Sequence, residues 1–457
     1  MNSTTRRALR AAVPVLALAL ALSACSAAEP ESTVDPDAPV TITVSNQPPA
    51  SQEAELAAYL QVIEDFEAEF PNITVEGVET GWDPQTFQAQ LAGGQLPNVM
   101  VVPFTEPQGM IARGQLADIT AELEQVGLKD MLNPSASAVG QDDEGRFYGV
   151  PVDAYALGLA YNREIFEQAG LDPDDPPTTW EEVREAAKAI TDATGLPGYA
   201  QMTTGGQGGW TLTAMTYAAG GSVESPDGSE VTITSEPGAM QEQLELLQTM
   251  RWEDESMGSN FTYDQLGVLK EFSAGRIGMV ISAPVGYAFC TQLFGMDGDD
   301  FGLAPMPQGQ ESGGSLVGGA LHVVMPNATP EQRLAAVRFI AFRLETYLDE
   351  DAAVEAAQAS FDAGMPVGLP GLSALKDDYR DQYLEWVGDY VNVPLENFAT
   401  YEETVNTIAL QPEPAVRAQE VYAALDSVVQ AVLTDRGTDI PALLETTQSN
   451  VEALLTR

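Results

Sequence analysis

Val40-Thr41-Ile42-Thr43-Val44, Ile73-Thr74-Val75-Glu76-Gly77-Val78 and Val99-Met100-Val101-Val102 are three runs rich in β-branched residues, and what separates them decides the fold class. Between the first two, Leu56, Tyr59, Leu60, Ile63, Phe66 and Phe70 recur at spacings of three and four, which predicts an amphipathic helix that Pro71-Asn72 stops. A short helix is expected around residues 84–91, before the third run. Strand-helix-strand-helix-strand predicts an α/β fold built on a parallel sheet with crossover helices.

Outward from this unit the alternation resumes. Residues 148–152 and 157–161 are expected as short strands. Thr178-Thr179-Trp180-Glu181 reads as a capping box in which a threonine caps an amide and Glu181 reaches back. Trp180, Val183, Ala187 and Ile190 mark one face of the helix that follows, so Trp180 belongs to the core. Residues 272–281 read as a helix end, a Gly275 turn and a strand. A helix from Pro330 carries Leu334, Val337, Phe339, Ile340 and Leu344. The stretch 414–455 is mostly helical, with Val421, Leu425, Val428 and Val432 as its apolar stripe and Arg436-Gly437 ending one helix.

The chain of 457 residues has room for two or three domains. It is 44% hydrophobic and 19% charged, a globular composition. Its net charge of −48 repels phosphate backbones and argues against a nucleic-acid partner. With two cysteines and one histidine, a Cys/His zinc site lacks ligands, and neither a metal nor another cofactor is expected. His322 lies in the strand-like run 320–325 and reads as a structural core residue rather than a member of a catalytic triad.

The N-terminus reads as an address. Arg6, Arg7 and Arg10 precede an apolar segment at residues 11–22, too short to span a membrane, and Leu22-Ser23-Ala24-Cys25 follows. The pattern resembles a bacterial lipobox. The expectation is a signal peptide at 1–24, a lipidated Cys25 anchoring the protein to the cell membrane, and a flexible acidic tether at 25–39. Cys290 is then the one thiol of the folded part and reads as a small core residue.

Several segments together carry a family resemblance over residues 40–457. They are Gly94-Gln95-Leu96-Pro97-Asn98-Val99, the run 113–120 with Gly114, Leu116 and Asp118, the run 145–152, and Leu159-Ala160-Tyr161-Asn162-Arg163-Glu164-Ile165-Phe166 continuing to Trp180. Phe272-Ser273-Ala274-Gly275-Arg276-Ile277-Gly278-Met279 and Gly302-Leu303-Ala304-Pro305-Met306-Pro307 complete the set. In these the chain resembles the extracellular solute-binding proteins of bacterial ABC importers, of the sugar-binding, maltodextrin-binding-like type. The resemblance implies a periplasmic-binding-protein-like fold, two α/β lobes joined by three hinge crossings and closing on a ligand. The crossings are expected near Asp153, Gly318 and Gly364. The first lobe is then 40–153 plus 319–363 and the second 154–318 plus 364–457.

A neutral sugar offers hydroxyls at its edge and C–H groups on its faces, so its site needs polar side chains beside aromatic platforms, placed just after strands. Asn46 and Gln47 follow the first strand, Trp82 the second, Thr105 and Glu106 the third. Asp153 and Tyr155 lie at the first crossing and Gly319 at the second. Gln207 and Trp210 lie in the glycine-rich run 201–210. Relatives often carry Gly-Pro-Trp where this chain has Ala283-Pro284-Val285, which leaves Tyr287 as the substitute platform. Arg417, opening a C-terminal helix, is a weaker candidate.

The resemblance implies a binding protein and no enzyme. It would be a monomeric, lipid-anchored subunit that captures a mono- or oligosaccharide and delivers it to an ABC permease. A scarcity of cationic residues near these candidates argues against a phosphorylated ligand. A polyol, glycerophosphoryl compound or peptide ligand on the same fold is the alternative. More distant is a secreted glycoside hydrolase, which needs a carboxylate pair across the cleft.

Overall fold

The computed structural model describes residues 35–83, 86–225, 228–309, 312–405 and 407–455. The expected leader and Cys25 lie outside these residues.

Two sheets organise the chain between Pro36 and Leu455. Strands β1 (Val40–Val44), β2 (Ile73–Gly77), β3 (Val99–Pro103), β4 (Gly149–Ala156), β5 (Gly158–Asn162), β6 (Met279–Ser282), β7 (Phe301–Pro305), β8 (Ser315–Val324) and β9 (Leu410–Pro412) follow in chain order. The first sheet runs β2-β1-β3-β8-β4, with β9 added on β8. β1 pairs parallel with β2 and with β3, as the strand-helix-strand reading requires, while β8 is antiparallel to β3 and β4. The second sheet, β6-β5-β7, is antiparallel throughout.

Both sheets are covered on two faces, so their strands read as near-continuous apolar runs. In β3, Val99 faces one core with Ile42, Phe66 and Ile340, while Met100 and Val102 face another with Phe104, Met110 and Leu321. In β5, Leu159 and Tyr161 join Trp180, Ile190 and Leu425, while Ala160 joins Val280, Phe272 and Phe398. The period-two alternation survives inside an unbroken hydrophobic stretch. His322 is 7% exposed within β8, and Cys290 is buried.

β4 and β8 tie the two sheets together. Val150 and Val323 belong to the cores of the first sheet, whereas Ala156 and Leu316 belong to those of the second. Their middle is closely packed. A Cβ on Gly319 would stand 2.3 Å from the Asp153 carbonyl oxygen, and one on Gly318 2.4 Å from the Tyr155 hydroxyl. Gly319 also holds φ +149, so no other residue fits there without strain.

Two expectations are corrected. The third passage between the cores does not fall at Gly364. Leu369 packs against the core of the second sheet, Leu372 and Leu375 return under the first, and from Val393 the chain enters the core of the second again. The capping box is displaced by one residue. Thr179 is the cap, its hydroxyl accepts from the Glu182 N–H at 3.3 Å, and the Glu182 carboxylate accepts from the Thr179 N–H at 3.0 Å. Glu182, not Glu181, stands three residues past the cap, where a side chain can reach back.

Candidate functional site

Because β1, β2 and β3 are parallel, their carboxyl ends emerge on one edge of the first sheet, and the loops that follow them gather there. Those loops form one wall of a cavity of about 660 Å³, with Trp82 after β2 and Thr105 and Glu106 after β3. Arg113, just past the short helix Pro107–Ala112, completes that wall. The other wall is the start of the helix Ala418–Thr434, with Arg417, Gln419 and Glu420. Arg417 caps that helix at φ +52, a left-handed conformation uncommon outside glycine, and sits 3.9 Å from the Glu420 carboxylate.

The cavity is polar in a particular way. The Trp82 indole N–H and the Thr105 hydroxyl are buried and have no hydrogen-bond partner, and Thr105 as a whole is 7% exposed. Buried polar atoms are rarely left in this condition, because each costs its full desolvation. Both residues stand in the cavity wall. Burial raises the Glu106 carboxyl above its ordinary range; Arg113 opposes that shift and the Glu420 charge across the cavity adds to it. The site therefore offers two carboxylates, two guanidinium groups, an indole and a hydroxyl.

Arg113, Glu420 and Gln419 carry no signal in the local sequence, because only packing of the C-terminal helix against the first-sheet loops makes them neighbours. Arg417 was a weaker candidate and does line the cavity. The expected scarcity of cationic groups is corrected here, since two arginines stand in this wall.

The remaining candidates are distributed differently. Asn46, at φ +64, presses its side chain over Gly81 and donates its N–H to the Thr80 carbonyl at 3.0 Å. Gln47 donates its N–H to Val78 at 2.9 Å. Both brace the loop that carries Trp82 and are not in the wall of the 660 Å³ cavity. Asp153 and Tyr155 line a different cavity of about 470 Å³, together with Val285 and residues 366–374. Trp210 is half-buried and meets Tyr155 edge to face, with centroids 6.4 Å apart. The Gln207 side-chain carbonyl accepts from the Gln265 N–H at 2.5 Å and so holds the start of a neighbouring helix. Gly319 serves strand pairing, its carbonyl accepting from the Phe104 N–H at 3.0 Å.

Tyr287 is corrected outright. It is 5% exposed, packed edge to face against Phe301 and Phe398, and cannot present its ring to a solute. Val285, at 42% exposed, is the residue of that segment that reaches solvent.

The profile of the bacterial extracellular solute-binding proteins matches residues 50–345. A binding protein of Brucella abortus is 26% identical over 247 residues, 51% of this chain and 56% of that one, so the chain spans little more than half the length of the curated relatives it matches. Among solved structures, the cyclic α-maltosyl-1,6-maltose binding protein of Arthrobacter globiformis superposes with a TM-score of 0.68 at 23% identity, covering 91% of this chain and 99% of that one. UgpB of Mycobacterium tuberculosis, in complex with glycerophosphocholine, gives 0.68 at 20%, covering 92% and 99%. At these identities the likeness establishes the fold, two lobes of the periplasmic-binding-protein kind.

Proposed function

The chain belongs to the bacterial extracellular solute-binding protein family, and from that premise we propose that it captures a carbohydrate outside the cytoplasm and presents it to an ABC permease. In this reading Trp82 covers a sugar face, Thr105, Glu106 and Glu420 take hydroxyls at the ring edge, and Arg113 and Arg417 add charge-assisted donors. The observation that carries it is the pair of unpartnered buried groups, the Trp82 N–H and Thr105 hydroxyl, in the wall of a cavity large enough for a sugar. The lobes are assigned as 40–153 plus 319–363 with the second-sheet remainder opposite, save that residues 364–387 go with the first lobe. Closure of the lobes would exclude water and strengthen these contacts. Cys25 would carry the lipid that keeps the protein at the membrane.

A second reading is favoured by a specific feature. Arg113 and Arg417 on facing walls suit the phosphodiester of a glycerophosphoryl compound. Thermal-shift and calorimetric titration against mono- and oligosaccharides, with glycerophosphocholine in parallel, separates the two. A solute at about 100 times its Kd adds roughly 2.7 kcal/mol of stability. Trp82→Ala should weaken carbohydrate binding by at least about tenfold, or ~1.4 kcal/mol, and Thr105→Val should weaken it with little change in Tm. Binding of glycerophosphocholine and of no carbohydrate in the panel would replace the first reading with the second.

A further inference from the structure

A second cavity, of about 620 Å³, adjoins the first and shares Ala415 with it. Phe104 and Gln108 enter its wall from the first-sheet side, Tyr217 and Glu224 from the second, and Gln411 and Glu413 from the chain that passes between them. No lysine or arginine among the described residues stands in that wall.

Beside the hydroxyls of Ser135, Ser222, Thr232 and Tyr217, the wall holds two glutamates. Glu224 is 6% exposed; one carboxylate oxygen accepts from the Val416 N–H at 3.2 Å, and the other is buried with no partner. The Glu413 carboxylate accepts from the Tyr422 hydroxyl at 3.2 Å. Among the described residues neither glutamate belongs to an ion pair. The two glutamines add acceptors. The Gln108 amide nitrogen is committed to the Val139 and Gln141 carbonyls, both at 2.9 Å, and that of Gln411 to the Gly313 carbonyl at 2.6 Å. Their oxygens remain as acceptors. Phe104 and Tyr217 stand in the same wall. Burial pushes both glutamate carboxyls up to about 7, as happens where the negative form has no counter-charge.

We propose that this compartment seats a cationic end of the solute, a protonated or quaternary amine attached to the body held in the first cavity. An amine supplies positive charge to a wall that holds two glutamates and no lysine or arginine among the described residues. A neutral hydroxyl would leave the Glu224 oxygen without compensation for its charge. A phosphate or carboxylate would be repelled. The inference rests on the adjoining cavity being the solute site, and it narrows the solute to one bearing an amine.

The test titrates the protein with methylammonium and tetramethylammonium chloride, read by intrinsic fluorescence and thermal shift, with sodium chloride and tert-butanol as controls. Saturable binding is expected for at least one amine, at least tenfold tighter than either control. Glu224→Gln combined with Glu413→Gln should weaken it at least tenfold. Glu224→Gln alone keeps the acceptor for Val416 and should weaken it in the same direction should the double variant fail to fold. Amine binding no tighter than that of sodium chloride, or unchanged in a folded variant, overturns the proposal. Maltose is titrated in the same preparations. Amine failure with maltose bound removes this inference and leaves the carbohydrate reading; amine binding with no carbohydrate bound does the reverse.

Discussion

At the scale of single residues, burial decides chemistry. The imidazole of His322 is pushed down to about 3, first by burial and then by the Arg343 charge. Its unfolded value is near 6.5, so the unfolded chain binds the extra proton between those limits. This contribution to stability is complete above about pH 6.5 and is lost as the pH falls toward 3. His322→Gln should therefore shrink the difference in unfolding free energy between pH 7 and pH 4 by about 3 kcal/mol, measured by urea denaturation at both values. An unchanged difference would mean that the histidine does not govern this part of the acid limb. The burial itself was legible, because an imidazole within Ala320-Leu321-His322-Val323-Val324-Met325 has apolar neighbours on every side. Tyr287 was not legible in the same way. Its neighbours Phe301 and Phe398 are distant in sequence, and nothing in Val285-Gly286-Tyr287 announces them. That Trp82, Thr105 and Glu106 share a cavity wall was readable because a parallel sheet gathers the loops after its strands at one edge, and a strand end can be read locally.

At the scale of elements, strands and helices were readable and their meeting points were not. The runs 40–44, 73–77 and 99–103 form the strands their β-branched residues predict, and the helix Pro330–Phe342 follows its apolar spacing. The third passage escaped because residues 365–387 divide their buried side chains among several cores, Leu369 with the second sheet and Leu372 and Leu375 with the first. Val367 and Val387 close a small cluster with Ala353 and Ala357, and such a satellite leaves no periodic trace. The β4–β8 pair shows the opposite case, an element whose glycine can be justified to the atom. Gly319→Ala puts a methyl group 2.3 Å from the Asp153 carbonyl oxygen at φ +149. The strand must shift or the dihedral must change, at a cost on the order of 1–3 kcal/mol. Denaturant unfolding should show that loss, whereas Gly145→Ala, at φ +73 with open space around it, should lose only the smaller cost of the dihedral. Equal losses at the two positions would show that the contact with Asp153 is relieved without effect.

At the scale of the whole molecule, charge and anchoring must be considered together. A net charge of −48 sets up a field that attracts cations toward the Glu224–Glu413 compartment and repels the anionic headgroups of a bacterial membrane. Electrostatics thus cannot hold this protein at a membrane; it opposes attachment. No helix among the described residues is long and apolar enough to cross one. The attachment proposed is through acyl chains on Cys25, where two chains on one thiol bind stably and a single chain would bind reversibly. Fractionation of cells expressing the full chain tests this. The wild-type protein should stay with membranes in both 0.01 M and 1 M sodium chloride and enter the detergent phase, because acyl insertion does not depend on screening. Cys25→Ser should release it into the medium or shift it to the aqueous phase. Release of the wild type by 1 M salt would identify a charge-mediated contact, and membrane retention of the serine variant would place the anchor elsewhere in the chain.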